Sequence, residues 1–168
     1  MGIPSMRILG IDPGTIVSGY GIVEAKTGKL WAVAYGTVKA RTKDPFSSRL
    51  KTIYEGLTKV IERYRPEQVA IEDVFAGKSI KSAIRIGEAR GIALLSAATA
   101  GIPTSSYPAT VIKKSVVGLG SAQKGQVKEM VRLILELPEV PEPEDAADAL
   151  AIAICHYHQS VFNALQKV

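Results

Sequence analysis

Short apolar runs separated by glycine turns dominate the first third of the chain. Residues 7–11, 18–24 and 29–39 form three such runs, and Thr27-Gly28 between the last two is a hairpin signal. Runs of this length bounded by turn residues are typical of strands rather than helices. We therefore expect the chain to begin with an antiparallel β-meander.

The pattern changes to a helical period after residue 45. Apolar residues then recur three or four positions apart as far as residue 64, at Leu50, Ile53, Tyr54, Leu57, Val60 and Ile61. Helices and strands alternate beyond that point: a strand over 68–71, a helix over 80–100, a strand over 103–107, and helices over roughly 109–116, 123–136 and 144–167. An antiparallel hairpin unit followed by parallel βα units predicts an α/β protein with a mixed sheet covered by helices.

Four acidic residues fall where these elements begin or end. Asp12 follows the first apolar run and precedes Pro-Gly, and Glu72 ends the run Val69-Ala-Ile. Asp145 and Asp148 are three residues apart at the start of an alanine-rich run, so both carboxylates lie on one face of a helix. Acids at strand ends and on the last helix can converge at one edge of such a sheet.

A cluster of carboxylates without a nearby His or Cys suits Mg²⁺ or Mn²⁺ rather than zinc. Taken singly, most of these acids have an ordinary explanation as well. Asp145 and Asp148 could simply favour a helix N-terminus, and Asp12 could be a turn residue. Glu72 is harder to explain in this way, because an acid at the rim of a buried strand needs a partner or a metal ion.

Four motifs in one order resemble RuvC, the family of bacterial Holliday junction resolvases. They are Gly10-Ile-Asp-Pro-Gly14 with Ser18-Gly-Tyr-Gly21, Ala70-Ile-Glu-Asp-Val-Phe75, the segment Val116 to Lys124, and Asp145-Ala-Ala-Asp-Ala-Leu-Ala-Ile-Ala153. The resemblance runs from about Met6 to His158. Two positions depart from the family's pattern: Asp73 stands where the family often has an amide, and Ser79 where it often has Asn.

The resemblance implies an RNase H-like fold with a five-stranded mixed sheet and a homodimer that nicks two strands of a four-way junction symmetrically. It implies Asp12, Glu72, Asp145 and Asp148 as the catalytic acids. Two-metal phosphodiester hydrolysis would then use two Mg²⁺ ions about 4 Å apart, with Mn²⁺ as a substitute. The expected role is resolution of Holliday junctions in recombination and repair, beside the branch-migration proteins RuvA and RuvB.

The same resemblance implies Lys113 and Lys124 as lysines near the cleaved phosphate, and Phe75 as an aromatic placed against junction bases. Lys78 and Lys81 follow Phe75 and are further candidates for DNA binding. A phenylalanine beside a glycine and a lysine suits stacking on an unpaired base, although burial beneath its loop would explain it as well. Solvated helix faces would explain most of the remaining basic residues equally well.

The helix over 80–100 carries Gly87 and Gly91 four residues apart, together with Ala83, Ala89, Ala93 and Ala97. Small residues at this spacing permit close approach of another helix. Residue pattern alone leaves open whether that helix lies in the same chain or in a second copy, whereas the resemblance implies the dimer interface. A two-fold dimer would match a substrate with near two-fold symmetry.

Composition is consistent with a cytoplasmic nucleic-acid enzyme. The 168 residues are expected to form one domain over 6–168, and residues 1–5 are interpreted as a tag remnant or disordered arm. A net charge of +5 favours a polyanionic partner. The single cysteine, Cys155, excludes an intrachain disulfide and is expected in the core of the last helix. No run reaches the roughly 20 apolar residues of a membrane span.

Proteins of different function share some of these features. Residues 10–15 resemble the first phosphate motif of actin-like ATPases and sugar kinases, but the chain lacks the length and the second glycine-rich loop of those enzymes. An RNase H-like nuclease that acts on RNA and a junction-binding protein without activity would also fit the fold. A complete set of acids argues against an inactive protein.

Overall fold

The computed structural model describes residues 5–74 and 79–167 of the chain. Across these two ranges, strands and helices alternate in the predicted order. They are β1 (Met6–Asp12), β2 (Val17–Lys26), β3 (Lys29–Lys39), α1 (Phe46–Tyr64), β4 (Gln68–Glu72), α2 (Ile80–Thr99), β5 (Thr104–Tyr107), α3 (Ala109–Val117), α4 (Lys124–Ile134) and α5 (Glu144–Gln166). The predicted sequence of a β-meander followed by alternating helices and strands is therefore confirmed.

The five strands form one mixed sheet in the order β3-β2-β1-β4-β5. Strands β1, β2 and β3 are antiparallel neighbours, whereas β1, β4 and β5 are parallel. The register pairs Ile11 of β1 with Ile71 of β4. The next residue of each strand is an acid, so Asp12 and Glu72 end neighbouring parallel strands at the same edge of the sheet.

Helices cover both faces of this sheet and create two apolar cores. Ile8 and Ala70 pack with α3, α4 and α5 on one face, whereas Leu9 and Ile11 pack with α1 and α2 on the other. Successive side chains of a strand point to opposite faces, so β1 and β4 contribute to both cores. Asp12 and Glu72 lie an even number of residues after Ile8 and Ala70 on the same strands, so their side chains point to the face of the sheet that α5 covers.

Helix α5 lies directly on the backbone of β1 and β2 because glycines leave room for it. A Cβ atom at Gly10 would lie 2.0 Å from the carbonyl oxygen of Ala149, and one at Gly19 would lie 1.9 Å from that of Asp145. Both distances are far below van der Waals contact. This close approach sets how near the first turns of α5, with Asp145 and Asp148, come to the end of β1.

Helix α5 also contains Cys155, which is buried and free as expected. Burial raises the pKa of its thiol to about 11, so the residue acts as a small apolar group rather than as a nucleophile. In the described parts of the chain, no helix is long and apolar enough to cross a membrane. Of the five N-terminal residues interpreted as a tag remnant or arm, residues 1–4 lie outside the described ranges.

Candidate active site

Three of the four predicted acids converge at the edge of the sheet. Asp12 is the last residue of β1, and Asp145 and Asp148 lie on the first two turns of α5. One carboxylate oxygen from each of these residues lies within 4.8 Å of the others. Glu72, the last residue of β4, lines the same cavity as the three aspartates. The structure thus brings together residues that are more than 130 positions apart in sequence.

Burial and mutual repulsion determine the charge of Asp12. Burial, the charges of Asp148, Glu72 and Asp145, and a hydrogen bond with Asp145 together raise the pKa of its carboxyl to about 8, and burial is the largest cause. Its ordinary value is 3.8. Without a cation, Asp12 therefore holds a proton near neutral pH, because burial and the neighbouring carboxylates make its negative charge unfavourable.

A lysine from α4 partly compensates the negative charge at Asp148. Burial raises the pKa of Asp148, Lys124 lowers it, and Glu144 and Asp145 raise it again, with a net increase. Lys124 itself forms an ion pair with Glu144, with 3.3 Å between Nζ and Oε1. Burial alone would lower the pKa of Lys124, but Asp148 and Glu144 raise it on balance, so the ammonium stays charged beside the acids.

A cavity of about 460 Å³ opens above the acids. Its polar wall is formed by the four acids, Asp73, Lys113 and Lys124. Its apolar wall includes Ile86 of α2, Ile112 of α3 and Val127 of α4. Carboxylates and two lysines around one cavity can hold a cation and a phosphate group side by side.

The donor set fits a hard divalent cation. The clustered ligand atoms are all carboxylate oxygens, which Mg²⁺ and Mn²⁺ prefer, and the cluster contains no His or Cys. The raised pKa of Asp12 also favours a cation, because a bound cation would offset the burial and the repulsion that keep this carboxyl protonated. Asp12, Asp145, Asp148 and Glu72 are thus suited to hold such an ion.

The other predicted site residues divide into three groups. Lys113 and Lys124 line the cavity. Lys81 is exposed on the second residue of α2 and is not part of the cavity wall. Phe75 and Lys78 lie outside the described residues, so the predicted stacking of Phe75 and the DNA contact of Lys78 stay predictions.

Lys128 is a neighbour of the acids that sequence reasoning left without a function. It follows Lys124 by one helical turn, and its charge also lowers the pKa of Asp148. Its Nζ lies 3.4 Å from Oε1 of Glu142, and only 20% of its side chain is exposed. The four-residue spacing of the two lysines on a predicted helix was the signal that could have identified it.

Asp73, the residue after Glu72, is held by an ion pair that the sequence did not predict. Nη2 of Arg90 on α2 donates to Oδ1 of Asp73 at 3.0 Å and to Oγ of Ser106 at 2.6 Å. The two positions that depart from the family's pattern thus have partners here. Asp73 pairs with Arg90, and Ser79 caps α2 by accepting a hydrogen bond from the backbone N–H of Ser82 at 3.3 Å.

A partly buried hydrogen-bond chain connects α5 to β4 and β5. Gln68 of β4, His156 of α5 and Tyr107 of β5 form this chain, with 2.8 Å between Tyr107 Oη and His156 Nδ1. Because the Gln68 Oε1 atom can only accept, His156 Nε2 donates to it and Nδ1 accepts from the tyrosine. Burial lowers the pKa of His156, which keeps the ring neutral. The chain holds α5 against β4 and β5.

Comparison with known proteins identifies one family. The model of the family "Crossover junction endodeoxyribonuclease RuvC" matches residues 8–156. A protein of that name from Dehalococcoides mccartyi is 52% identical over 157 residues, which cover 94% of each chain. Another from Syntrophotalea carbinolica is 50% identical over 153 residues, covering 91% of this chain and 94% of the relative.

Comparison with solved structures shows that the fold is shared as well. Thermus thermophilus RuvC in complex with a Holliday junction substrate superimposes with a TM-score of 0.89 at 36% identity, covering 94% of this chain and 96% of the other. A yeast mitochondrial Holliday junction resolvase, at 16% identity and a TM-score of 0.65, shares the fold alone. The predicted RNase H-like α/β fold is therefore confirmed. With a family model that spans most of the chain and relatives at half identity, the chain belongs to the RuvC family of crossover junction endodeoxyribonucleases.

Proposed function

We propose that this protein is a Mg²⁺-dependent endodeoxyribonuclease that resolves four-way Holliday junctions during DNA recombination and repair. The observation that carries the proposal is the group of Asp12, Asp145 and Asp148 oxygens within 4.8 Å, in a cavity that Lys113 and Lys124 also line. Family membership supports the choice of substrate, since the Thermus thermophilus relative forms a complex with a Holliday junction.

Asp12, Glu72, Asp145 and Asp148 would hold the metal, two Mg²⁺ ions in our proposal, with Mn²⁺ as a substitute. When bound, the ions supply Lewis-acid stabilisation of the phosphodiester and a nucleophile at neutral pH. The protein's own contribution is to position the carboxylates around one cavity. Asp12 must lose its proton for the site to load, and a cation lowers the energetic cost of that loss.

The lysines act on the phosphate rather than on the metal. Lys124 stays protonated beside Asp148, and Lys113 lines the same cavity from α3. Both can donate to phosphate oxygens and stabilise the additional negative charge of the transition state. The expected products are a 5′ phosphate and a 3′ hydroxyl.

Paired symmetric nicks require two active sites, so we propose a homodimer formed through α2. Ala89, Ala93 and Ala97 of this helix are buried in the monomer. Gly87 and Gly91 face the other way, and a Cβ at either would meet nothing within 4 Å. Packing within the monomer therefore explains the alanines but leaves the two glycines without a role, and close approach of a second α2 would supply one.

The remaining parts of the proposal concern DNA contacts and cellular context. Phe75, Lys78 and Lys81 would contact the junction DNA. Cooperation with RuvA and RuvB, and a cytoplasmic location, are proposed from family membership.

The test is cleavage of a synthetic four-way DNA junction with and without Mg²⁺, beside matched duplex, single-stranded DNA and RNA. We expect paired symmetric nicks on the junction alone, and only with metal. Asp12→Asn should bind the junction in a gel-shift assay but cleave at least about 100-fold more slowly, because the ligand charge is lost without a change of shape. Glu62→Gln, at an exposed position on α1, is the matched control and should cleave normally.

Three outcomes would contradict this proposal. Cleavage by Asp12→Asn at the normal rate would refute the assignment of the site. Nicking of every substrate would indicate a general nuclease, and binding without nicks would indicate a structural junction-binding protein.

A further inference from the structure

A second group of cations lies outside the cavity, around Phe46 at the start of α1. The Cζ atom of Arg49 lies 5.3 Å from the centroid of the Phe46 ring, and that of Arg85 on α2 lies 4.6 Å from it. Two helices thus present their guanidinium groups to one aromatic ring. We refer to Phe46, Arg49 and Arg85 as the Phe46 cluster. The ring can stabilise each cation, but the two like charges repel each other.

The charge of this cluster is not compensated within the described part of the chain. None of the ion pairs found there involves Arg49 or Arg85. Its surroundings are basic as well. Lys81 precedes Arg85 by one turn of α2 and is exposed, and Lys43 is exposed just before α1. The nearby acid Asp44 is paired with Arg41, with 3.4 Å between Nε and Oδ2.

Arg49 is held in a defined position at an energetic cost. Its Nε is buried and has no hydrogen-bond partner among the described residues. A buried donor without an acceptor is unfavourable, so packing against Phe46 must offset this loss. The terminal N–H groups of both guanidinium groups remain available as hydrogen-bond donors. Arginine offers those donors as a planar fork that matches two oxygens of one phosphate.

The Phe46 cluster lies at the same edge of the sheet as the acids. Strands β1 and β4 end there at Asp12 and Glu72, and β3, which runs in the same direction as β1, ends there at Lys39. The backbone N–H of Ala40 donates to the carbonyl of Ile16 in the β1–β2 connection at 2.8 Å. From that point the chain leads into α1. The acids occupy the α5 face of this edge, and the cluster occupies the α1 and α2 face.

We propose that the Phe46 cluster is a second phosphate-binding surface, which holds the backbone of a DNA arm that leaves the catalytic cavity across this edge of the sheet. The inference rests on the proposed junction-resolving function and adds a surface remote from the reacting phosphate. Contacts of this kind are made to phosphates and position the duplex without reading its sequence. The cluster therefore contributes affinity and orientation, not base preference.

Salt dependence of junction binding tests this inference. Binding of a labelled four-way junction is measured by fluorescence anisotropy between about 50 and 200 mM salt, with EDTA present to prevent cleavage. Each phosphate contact that is lost should reduce the slope of log K against log salt by about 0.9. We expect that reduction for Arg85→Gln, and about twice as much for the Arg49→Gln/Arg85→Gln pair.

Lys59→Gln is the matched control, because it removes one exposed positive charge from α1 away from the cluster and should leave the slope unchanged. Arg49 is partly buried, so the pair is compared only if its thermal unfolding matches that of the wild type. If it does not, Arg85→Gln alone carries the test, since Arg85 is exposed. Arg85→Lys should keep the slope, because the charge remains.

Failure of the cluster and failure of the proposed function give different results. If the wild type binds and nicks the junction but Arg85→Gln has the same slope as Lys59→Gln, the cluster is not a phosphate-binding surface. If the wild type itself shows no junction binding, the proposed function fails, and the cluster's role fails with it.

Discussion

At the scale of single residues, the main feature of the site is the carboxyl of Asp12, which is protonated near neutral pH until a cation replaces its proton. Asp12 has a pKa of about 8 because burial and three neighbouring acids disfavour its charge. The residues next to Asp12 in the sequence do not indicate this raised pKa. The cause is the approach of Asp145 and Asp148 from a helix more than 130 residues later.

The shifted pKa predicts how stability depends on pH in the absence of metal. Above the unfolded value near 3.8, the unfolded chain releases a proton that folded Asp12 keeps up to about pH 8. Stability due to this group is therefore lost as pH rises through that range. Asp12→Asn lacks this effect. In EDTA, its free energy of unfolding relative to that of the wild type should therefore increase by about 2–4 kcal/mol between pH 5 and 8, which corresponds to at least about 5 °C in Tm.

Thermal unfolding of both proteins at the two pH values measures this gap. Mg²⁺ should stabilise the wild type at pH 8 and leave Asp12→Asn nearly unchanged. Glu62→Gln, which removes an exposed acid outside the site, should follow the wild type at both pH values. A gap between Asp12→Asn and wild type that stays constant with pH would contradict the assigned charge state.

At the scale of elements, the decisive contact is between α5 and the strands beneath it. The helix rests on glycine backbone at Gly10 and Gly19, which lets its first turns reach the end of β1. The chain from Gln68 through His156 to Tyr107 holds the same helix against β4 and β5. Together these contacts determine the positions of Asp145 and Asp148.

Gly10→Ala should displace α5. Its added methyl group would lie 2.0 Å from the carbonyl oxygen of Ala149 and 2.9 Å from the backbone N of Ala153, neither of which can rotate away. We expect a loss of at least about 3 kcal/mol in the free energy of unfolding, together with loss of cleavage. Urea denaturation and junction cleavage are the measurements.

Gly125→Ala is the matched control, because Gly125 lies within α4 and a Cβ there would meet nothing within 4 Å. It should be neutral or stabilise the protein by up to about 1 kcal/mol. Equal stability of Gly10→Ala and Gly125→Ala would show that the close approach of α5 is not required.

At the scale of the whole molecule, α2 presents an apolar surface that the monomer does not use. Ile80, Ile84 and Leu95 are 82%, 56% and 53% exposed, and Gly87 and Gly91 lie between them on the same side of the helix. Spacings of four, three, four and four residues keep these positions on one face. Burial of this face against a second α2 would remove apolar area from water and relate two active sites by a two-fold axis.

Gly91→Leu should separate dimer formation from folding. In the monomer the added side chain points into open space, so thermal unfolding of the isolated chain should change little. In the proposed dimer it would prevent close approach of the two helices. We expect sedimentation equilibrium at micromolar concentration to give a dimer mass for the wild type and for Gly125→Ala, and a monomer mass for Gly91→Leu. A wild-type monomer, or a dimeric Gly91→Leu, would refute the interface.

The sequence by itself determined the element order, because hydrophobic periodicity and turn residues are local signals. It placed Asp12 and Glu72 at strand ends and Asp145 and Asp148 on one helical face, and the structure has all four there. The family was also recognisable from the order of four motifs, which requires no coordinates.

Only the tertiary structure decided what depends on contacts between distant segments. The reason for glycine at Gly10 and Gly19 is the backbone of α5, and local sequence does not show which helix will cross a strand. The same holds for the pairing of Arg90 with Asp73 and for the convergence of Arg49 and Arg85 on Phe46. The raised pKa of Asp12 likewise arises from burial and charge at short distance, which packing creates and sequence spacing does not reveal.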